Sequence, residues 1–374
     1  MAYATAQQWF ERHDVRLINQ LVSNDDNVTV SRIDLLTNDN VVALLNDASG
    51  EMDAALLTAG LYQSADLSGL TGNALFHRIR ICVDIAMSLA FGRRPGHEPE
   101  LAGQPQPYLA LLRAVTGRQA ALIARWMGVG FIHGVMNTDN VAISGETIDY
   151  GPCAFMDAYH PDTVFSSIDQ FGRYAFANQP RIAVWNLAQL ATALLALIPD
   201  RDEGIEVFTT AVNGFADRFD AEWQAVLARK LGLGESREGD ASLAFDLLNI
   251  MAENGADFTR TFRALSGPDP SWARDEFIDP TVMDGWLVRW RARLAQEDIG
   301  ADERVARMRA VNPARIPRNH RIEQGITRAV DGDYDPFHAL MAALADPFAE
   351  APELAAYEAA PEDGEHVTRT FCGT

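Results

Sequence analysis

Lysine is almost missing from this chain. Of its 31 basic residues only Lys230 is a lysine, so no lysine chemistry is available to the first 229 of its 374 residues. Cysteine is scarce too. Cys82, Cys153 and Cys372 are too few for a disulfide framework or a structural zinc site, which leaves a reducing, cytoplasmic setting as the expectation. Positive charge is in deficit: 31 basic against 52 acidic residues gives a formal charge of −21. So negative a surface repels phosphate backbones and anionic lipid, and neither nucleic acid nor membrane is expected as a partner. No run of 18 apolar residues occurs, and the start, MAYATAQQWFERHD, lacks a basic segment leading into an apolar core. A membrane span and a signal peptide are therefore not expected.

What remains is the composition of a folded protein, 48% hydrophobic and 22% charged, long enough for one large domain or two ordinary ones. The segment Gly92–Pro107 carries four prolines, Arg93 and Arg94 and no apolar rhythm, and reads as a boundary loop. It separates residues 1–100, an unassigned and mostly helical segment with Asn/Asp-rich turns, from a domain over 101–374. Within the latter, Leu112, Val115, Leu122, Ile123 and Trp126 recur at helical spacing and predict a helix over 108–127. Glycines 128 and 130 end it. Helices are also expected after Asn186 and over 203–232, 241–264, 280–297 and 319–330. Val141–Ile143 and Thr147–Ile148 flank Ser144-Gly145-Glu146 and predict a tight hairpin. The Ala-, Pro- and acid-rich stretch from Asp346 to Glu365 reads as a loose surface segment.

The informative window is GFIHGVMNTDNVAISGETIDYGP, residues 130–152. A helix ends, a polar loop follows, then a hairpin, then Asp149-Tyr150-Gly151. This is the layout of a protein-kinase catalytic loop and metal-binding loop. His133 takes the His position, Asn140 follows seven residues later at the Asn position, and Asp149 stands where the metal carboxylate belongs. The usual base position holds Val135, which cannot accept a proton. Mg²⁺ wants hard oxygen ligands and keeps several waters, and Asn140 and Asp149 can offer an amide oxygen and a carboxylate. Asp139, the nearest carboxylate in the loop, can orient or deprotonate an acceptor hydroxyl. Asn-Thr-Asp-Asn and Asp-Tyr-Gly-Pro are also good turn sequences taken singly, and His133 alone reads as a hydrogen-bonded architectural residue. The combination of helix, loop, hairpin and spacing points to chemistry.

The window, together with TIDYGP at 147–152, FMDAYHP at 155–161, GRYAFANQP at 172–180, WNLAQLA at 185–191, ARKLGL at 228–233, DLLNIM at 246–251, NPARIPRNHRIEQGI at 312–326 and the C-terminal FCGT, resembles the selenoprotein O (SelO) family of pseudokinase-fold protein adenylyltransferases. The resemblance covers about residues 105–374. It implies a mainly α fold with a small β-hairpin, a kinase-like C-lobe of the selenoprotein O type. It implies ATP bound in inverted orientation, with Mg²⁺ or Mn²⁺, and transfer of AMP to Ser, Thr or Tyr hydroxyls of protein substrates. Asp139 matches the family's proposed base, and Asn140 and Asp149 match its nucleotide-bound metal ligands. Val135 belongs to the family pattern.

The N-terminal part departs from that pattern. The family's ATP-contacting lysine has no counterpart before Asp139, no glycine-rich phosphate loop is found, and Arg78, Arg80, Arg93 and Arg94 lie in unmatched context and read as surface charges. The N-lobe is expected to be absent or degenerate. The alternative to an adenylyltransferase is thus a catalytically impaired, truncated pseudokinase remnant that binds nucleotide or protein; ordinary kinase activity is disfavoured by Val135. In some relatives a C-terminal cysteine pairs with one in the activation segment. Here Val164–Asp169 lacks that cysteine, so Cys372 either uses Cys153 or both remain free thiols. Arg173 either tethers the activation segment or makes an ordinary salt bridge.

Overall fold

The computed structural model describes residues 106–371, apart from Ala196 and Glu235. The expected helical segment 1–100, the loop arginines and Cys82 and Cys372 lie outside the described residues. The described part is mainly α-helical, with one two-stranded sheet.

Helix α1 (Pro107–Gly128) is the central element, two residues longer than its apolar spacing predicts. Proline at its first position supplies a preset φ where the missing N–H costs nothing. Around it lie α2 (Gln179–Leu195), α3 (Arg201–Asn213) and α4 (Phe215–Lys230), with α4 giving the most extensive contact. Leu112, Val115 and Ile123 of α1 and Phe215, Phe219, Trp223 and Leu227 of α4 are buried together in the core. Gly128 lets the end of α1 approach α4: a Cβ there would sit 2.6 Å from Val226 Cγ1.

The helix expected over 203–232 is two helices. The ladder breaks at Gly214, where glycine's weak helix preference removes the incentive to continue. The stretch 241–264 is likewise divided into α5 (Asp240–Asn254) and α6 (Phe258–Leu265). Gly255 caps the first at φ +61°, and Asp257 caps the second by accepting from the Arg260 N–H. Helix α7 (Val282–Leu294) stacks Trp286 on Trp290, and their indole N–H groups donate to the Leu243 and Leu231 carbonyls at 2.8 and 2.9 Å. Both indoles are thus buried with their single polar atom satisfied. Helices α8 (Ala301–Arg309), α9 (Asn319–Val330) and α10 (Asp335–Leu344) complete the chain order.

The sheet is not the expected hairpin. β1 (Phe131–Ile132) pairs antiparallel with β2 (Ala154–Phe155), Phe131 opposite Phe155 and Ile132 opposite Ala154. The expected hairpin shrinks to one antiparallel bridge, Val141 to Thr147, with the Gly145 N–H closing the turn on the Ala142 carbonyl. The two-residue strands gather both ends of the loop 133–153 onto the end of α1, and the bridge pinches its middle.

The acidic tail holds a short 3₁₀ helix, Pro352–Tyr357, and is not loose. Buried Arg315 donates to the carbonyls of Asp346 and Ala349 and to Glu358, and buried Arg318 donates to the Glu358 carbonyl. Asp157 and Asp257 both bind the Arg318 guanidinium. Arg318 so clamps the segment after β2, the start of α6 and the tail to one point. No helix among the described residues is long and apolar enough to cross a membrane.

Candidate active site

His133 follows β1 directly and is fully buried. Its Nε2 lies 2.8 Å from the Ile148 carbonyl and its Nδ1 3.4 Å from the Val135 N–H. One neutral tautomer satisfies both contacts, donating from Nε2 and accepting at Nδ1. Burial lowers the imidazole's pKa below its ordinary value, against the opposing pull of the Ile148 carbonyl and the Asp149 charge. A neutral histidine locked at both nitrogens is architectural. It ties the start of the loop to the residue before Asp149.

Side chains outside the 130–152 window hold the rest of the loop. Gln179, fully buried at the start of α2, accepts from the His133 N–H and donates to the Phe131 carbonyl, both at 3.1 Å. Asn186 of α2 donates to the Met136 carbonyl at 3.1 Å, and the Tyr174 hydroxyl donates to Asn137 Oδ1 at 2.7 Å. From α1, Gln119 donates to the Ala142 carbonyl at 2.6 Å, and the Trp126 indole donates to Thr147 Oγ1 at 2.8 Å. Apart from Trp126, which the helical spacing includes, these positioning residues do not stand out in the sequence. Gln179 and Asn186 do fall within two segments quoted for the resemblance, and each is a buried polar group, which demands a specific partner.

Asp139 and Asn140 occupy a single 3₁₀ turn, Thr138–Asn140. The Asn140 amide nitrogen donates to the Val135 carbonyl at 3.0 Å, which directs its oxygen away from that contact. Val135 itself is buried, 7% exposed, so the position of an ordinary kinase base points into the core. The Val141–Thr147 bridge follows Asn140 immediately and ends two residues before Asp149, so the loop's fold brings these two segments side by side. Asp149 is exposed and takes φ +53°, the only non-glycine residue with positive φ among the described residues. Its Oδ1 accepts from the Gly151 N–H at 3.3 Å. A left-handed aspartate is uncommon, and such strain concentrates at functional loops.

The donor set suits a hard divalent ion only in part. Among the described residues no cluster of three or more His, Cys, Asp or Glu side chains could enclose a metal. An amide oxygen and one or two carboxylates at an open loop fit Mg²⁺, which takes its other ligands from phosphate and water. They do not fit a closed structural site.

Cys153 is a half-buried free thiol. Burial, with a smaller contribution from the Asp149 charge, pushes its pKa up to about 11. At neutral pH it is therefore a thiol and a poor nucleophile. The C-terminal segment runs beside it: Thr370 bridges Ser166 in parallel, and its hydroxyl donates to the Pro152 carbonyl at 2.5 Å. Arg173 makes a cation–π contact, its guanidinium 4.8 Å from the Trp185 ring centre, and no salt bridge among the described residues.

A family model described as "Protein adenylyltransferase SelO" matches residues 75–345. The match starts well before residue 105 and takes in Arg78, Arg80, Arg93 and Arg94, which the motif reading left outside. Among curated relatives, a "Protein nucleotidyltransferase YdiU" from Jannaschia sp. (strain CCS1) is 58% identical over 303 residues, 81% of this chain and 62% of that protein. The protein of the same name from Methylorubrum populi is 52% identical over 316 residues, covering 81% and 64%. That from Bradyrhizobium sp. (strain BTAi1) is 58% identical over 284 residues, covering 74% and 58%. The chain thus spans about three-fifths of the length of these relatives. With most of its length matched by the family model and identities above one half, the chain belongs to the SelO family of protein adenylyltransferases.

Proposed function

We propose that the described domain is a kinase-like C-lobe and that this protein transfers AMP from ATP to a Ser, Thr or Tyr hydroxyl of another protein. The observation that supports the reading is that the Val141–Thr147 bridge brings the segments carrying Asn140 and Asp149 side by side. The Asn140 amide is anchored through its nitrogen so that its oxygen is the end left over, and Asp149 is held at a strained φ on the adjoining segment. When bound between these two side chains and the nucleotide, Mg²⁺ would screen the triphosphate charge. Asp139, in the 3₁₀ turn beside Asn140, takes the proton of the acceptor hydroxyl. The hydroxyl oxygen then bonds to the α-phosphorus, the bond from that phosphorus to the β-phosphate bridging oxygen breaks, and pyrophosphate leaves. His133 stays neutral throughout and keeps the loop in register. Phosphoryl-type transfers rest mainly on positioning and charge stabilisation, which is the work these loop anchors perform. The buried Val135 supports this reading over an ordinary kinase, since no base can act from that position.

A second reading is a domain that binds nucleotide or protein without turnover. Lys230, the chain's single lysine, is sealed beneath Phe258 and Phe262 and cannot reach a triphosphate. A permanently charged side chain of this sequence that clamps the phosphates would therefore be an arginine.

The experiment is paired labelling with Mg²⁺ and ATP carrying label at the α or the γ phosphate. Protein-bound α label, lost in Asp139→Asn and Asp149→Asn, is the expected result. γ label alone would make the protein a kinase. No label from a folded protein would leave the binding reading.

A further inference from the structure

A cavity of about 790 Å³ is lined by the segment that holds the loop. Its walls include Asp162, Phe171, Arg173, Asn178, Arg181 and Trp185. The volume lies in the range of ligand-binding clefts. None of the residues assigned above to the transfer chemistry lines it.

Three features give the cavity a positive character. The Arg173 guanidinium carbon sits 4.8 Å from the Trp185 ring centre, a cation–π contact that does not use up its N–H donors for a carboxylate. Arg181 is exposed on the first turn of α2, and neither guanidinium pairs with a carboxylate among the described residues, although the Arg173 backbone N–H donates to Asp169 Oδ1 at 2.8 Å. The positive end of the 17-residue helix α2 is at the same rim. Asp162 is the one acid among the described lining residues, against two guanidinium groups. Phe171 is 95% exposed beside them and Ile168 64%, apolar groups that a soluble domain has no reason of its own to present. The chain's overall negative charge does not cancel this, because exposed charges more than about 8 Å away are screened at physiological salt.

The cavity is also wired to the loop. Tyr174, next to Arg173, donates to Asn137, two residues before Asp139, and Asn186, next to Trp185, donates to the Met136 carbonyl. A segment seated on Arg173 and Trp185 is therefore held by the same short stretch of chain that holds the catalytic turn.

We propose that this cavity docks an acidic segment of the acceptor protein, carboxylates on Arg173 and Arg181 and an apolar or aromatic side chain against Phe171. The proposal rests on the transfer reading for the word acceptor, but binding can be measured without any turnover. The probe is a fluorescein-labelled Glu/Tyr copolymer titrated onto the full chain without ATP, with a Lys/Tyr copolymer as the opposite-charge control. Anisotropy should report binding of the Glu/Tyr probe that weakens with added salt. Arg181→Glu should weaken it by about tenfold or more, and Arg173→Ala similarly, for loss of a charge-assisted contact. Arg125→Glu, an exposed charge change on α1, should leave it unaltered and so control for net charge. Arg181 is exposed, so its variant keeps the fold. Equal affinity of wild type and Arg181→Glu, equal binding of both copolymers, or no binding would each overturn the proposal. If α-label transfer to the copolymer occurs, Arg181→Glu should raise KM and spare kcat. Intact docking without transfer would count against the transfer reading alone.

Discussion

The loop 133–153 and the Arg318 clamp are both built around charge, and they spend it in opposite ways. In the loop, Asp149 is exposed and conformationally strained, and the surrounding polar groups hold backbone atoms and leave the carboxylate outward. At the clamp, Arg318 is buried and its guanidinium meets Asp157, Asp257 and the Glu358 carbonyl. Asp157 and Arg318 each lie in a segment on which the family resemblance rests. Sequence similarity alone cannot tell a residue kept for reaction from one kept for architecture; burial and partners can. The contrast predicts that changes in the loop cost activity and spare the fold, and that changes at the clamp do the reverse.

The largest expected effect is on activity. Asp149→Asn keeps a residue that tolerates positive φ but removes the carboxylate, so AMP transfer should fall by roughly 10³-fold or more, the scale on which loss of charge stabilisation slows phosphoryl transfer. Its thermal midpoint should match the wild type. Asp149→Gly relieves the φ +53° strain as well, and should be as inactive yet more stable by about 1 kcal/mol. An inactive Asn variant with a collapsed midpoint would erase the distinction between loop and clamp.

The clamp comes next. Arg318→Ala leaves Asp157 and Asp257 facing one another without a cation, which for buried pairs costs about 3–5 kcal/mol. Urea midpoints should show that loss, while the transfer rate per folded molecule stays near the wild type. Arg318→Lys should recover little, because an ammonium cannot reproduce a guanidinium's several directed contacts. A clamp variant that stays stable but loses activity would move Arg318 into the site.

Lys230 tests the core. Burial lowers its pKa to about 7, from the usual value near 10.4. Between those pH values the unfolded chain holds a proton that the folded chain releases, so stability should rise with pH across about pH 7 to 10 and be reduced below 7. Phe262 and Phe258 oppose this by favouring the ammonium, their ring centres 4.2 and 5.2 Å from Nζ. The difference in urea stability between wild type and Lys230→Met should therefore shift by a few kcal/mol at most over that window. A flat difference would mean that the rings fully replace water.

Much of this organisation was legible in the sequence because it is local. The apolar spacing of α1, the His133-to-Asn140 spacing and the Asn319–Val330 helix all lie within one element or one loop. The breaks at Gly214 and Gly255 were signalled by glycine, but continuous apolar spacing on both sides outweighed a single residue. β1 and β2 were not legible, since two residues carry no periodicity and their pairing spans the whole loop. The same holds for Arg318, whose partners are 61 and 161 positions away, and for Gln179, 46 positions from His133. Local chemistry names the candidate groups; long-range polar contacts decide which of them face out.

Tyr174 gives the smallest effect and the finest test. Its hydroxyl donates to Asn137, which is exposed, so the bond competes with water and should be worth about 0.5–1.5 kcal/mol. Tyr174→Phe keeps the buried ring and deletes only that bond. If the segment 162–185 positions the catalytic turn, kcat should drop a few-fold with ATP affinity unchanged, since neither Asn140 nor Asp149 loses a contact. Phe at 174 should also weaken the coupling between copolymer docking and transfer, so that saturating acceptor no longer restores the rate. A purely structural bond would lower the thermal midpoint slightly and leave kcat untouched, which would detach the cavity from the loop and leave the two as independent features of one surface.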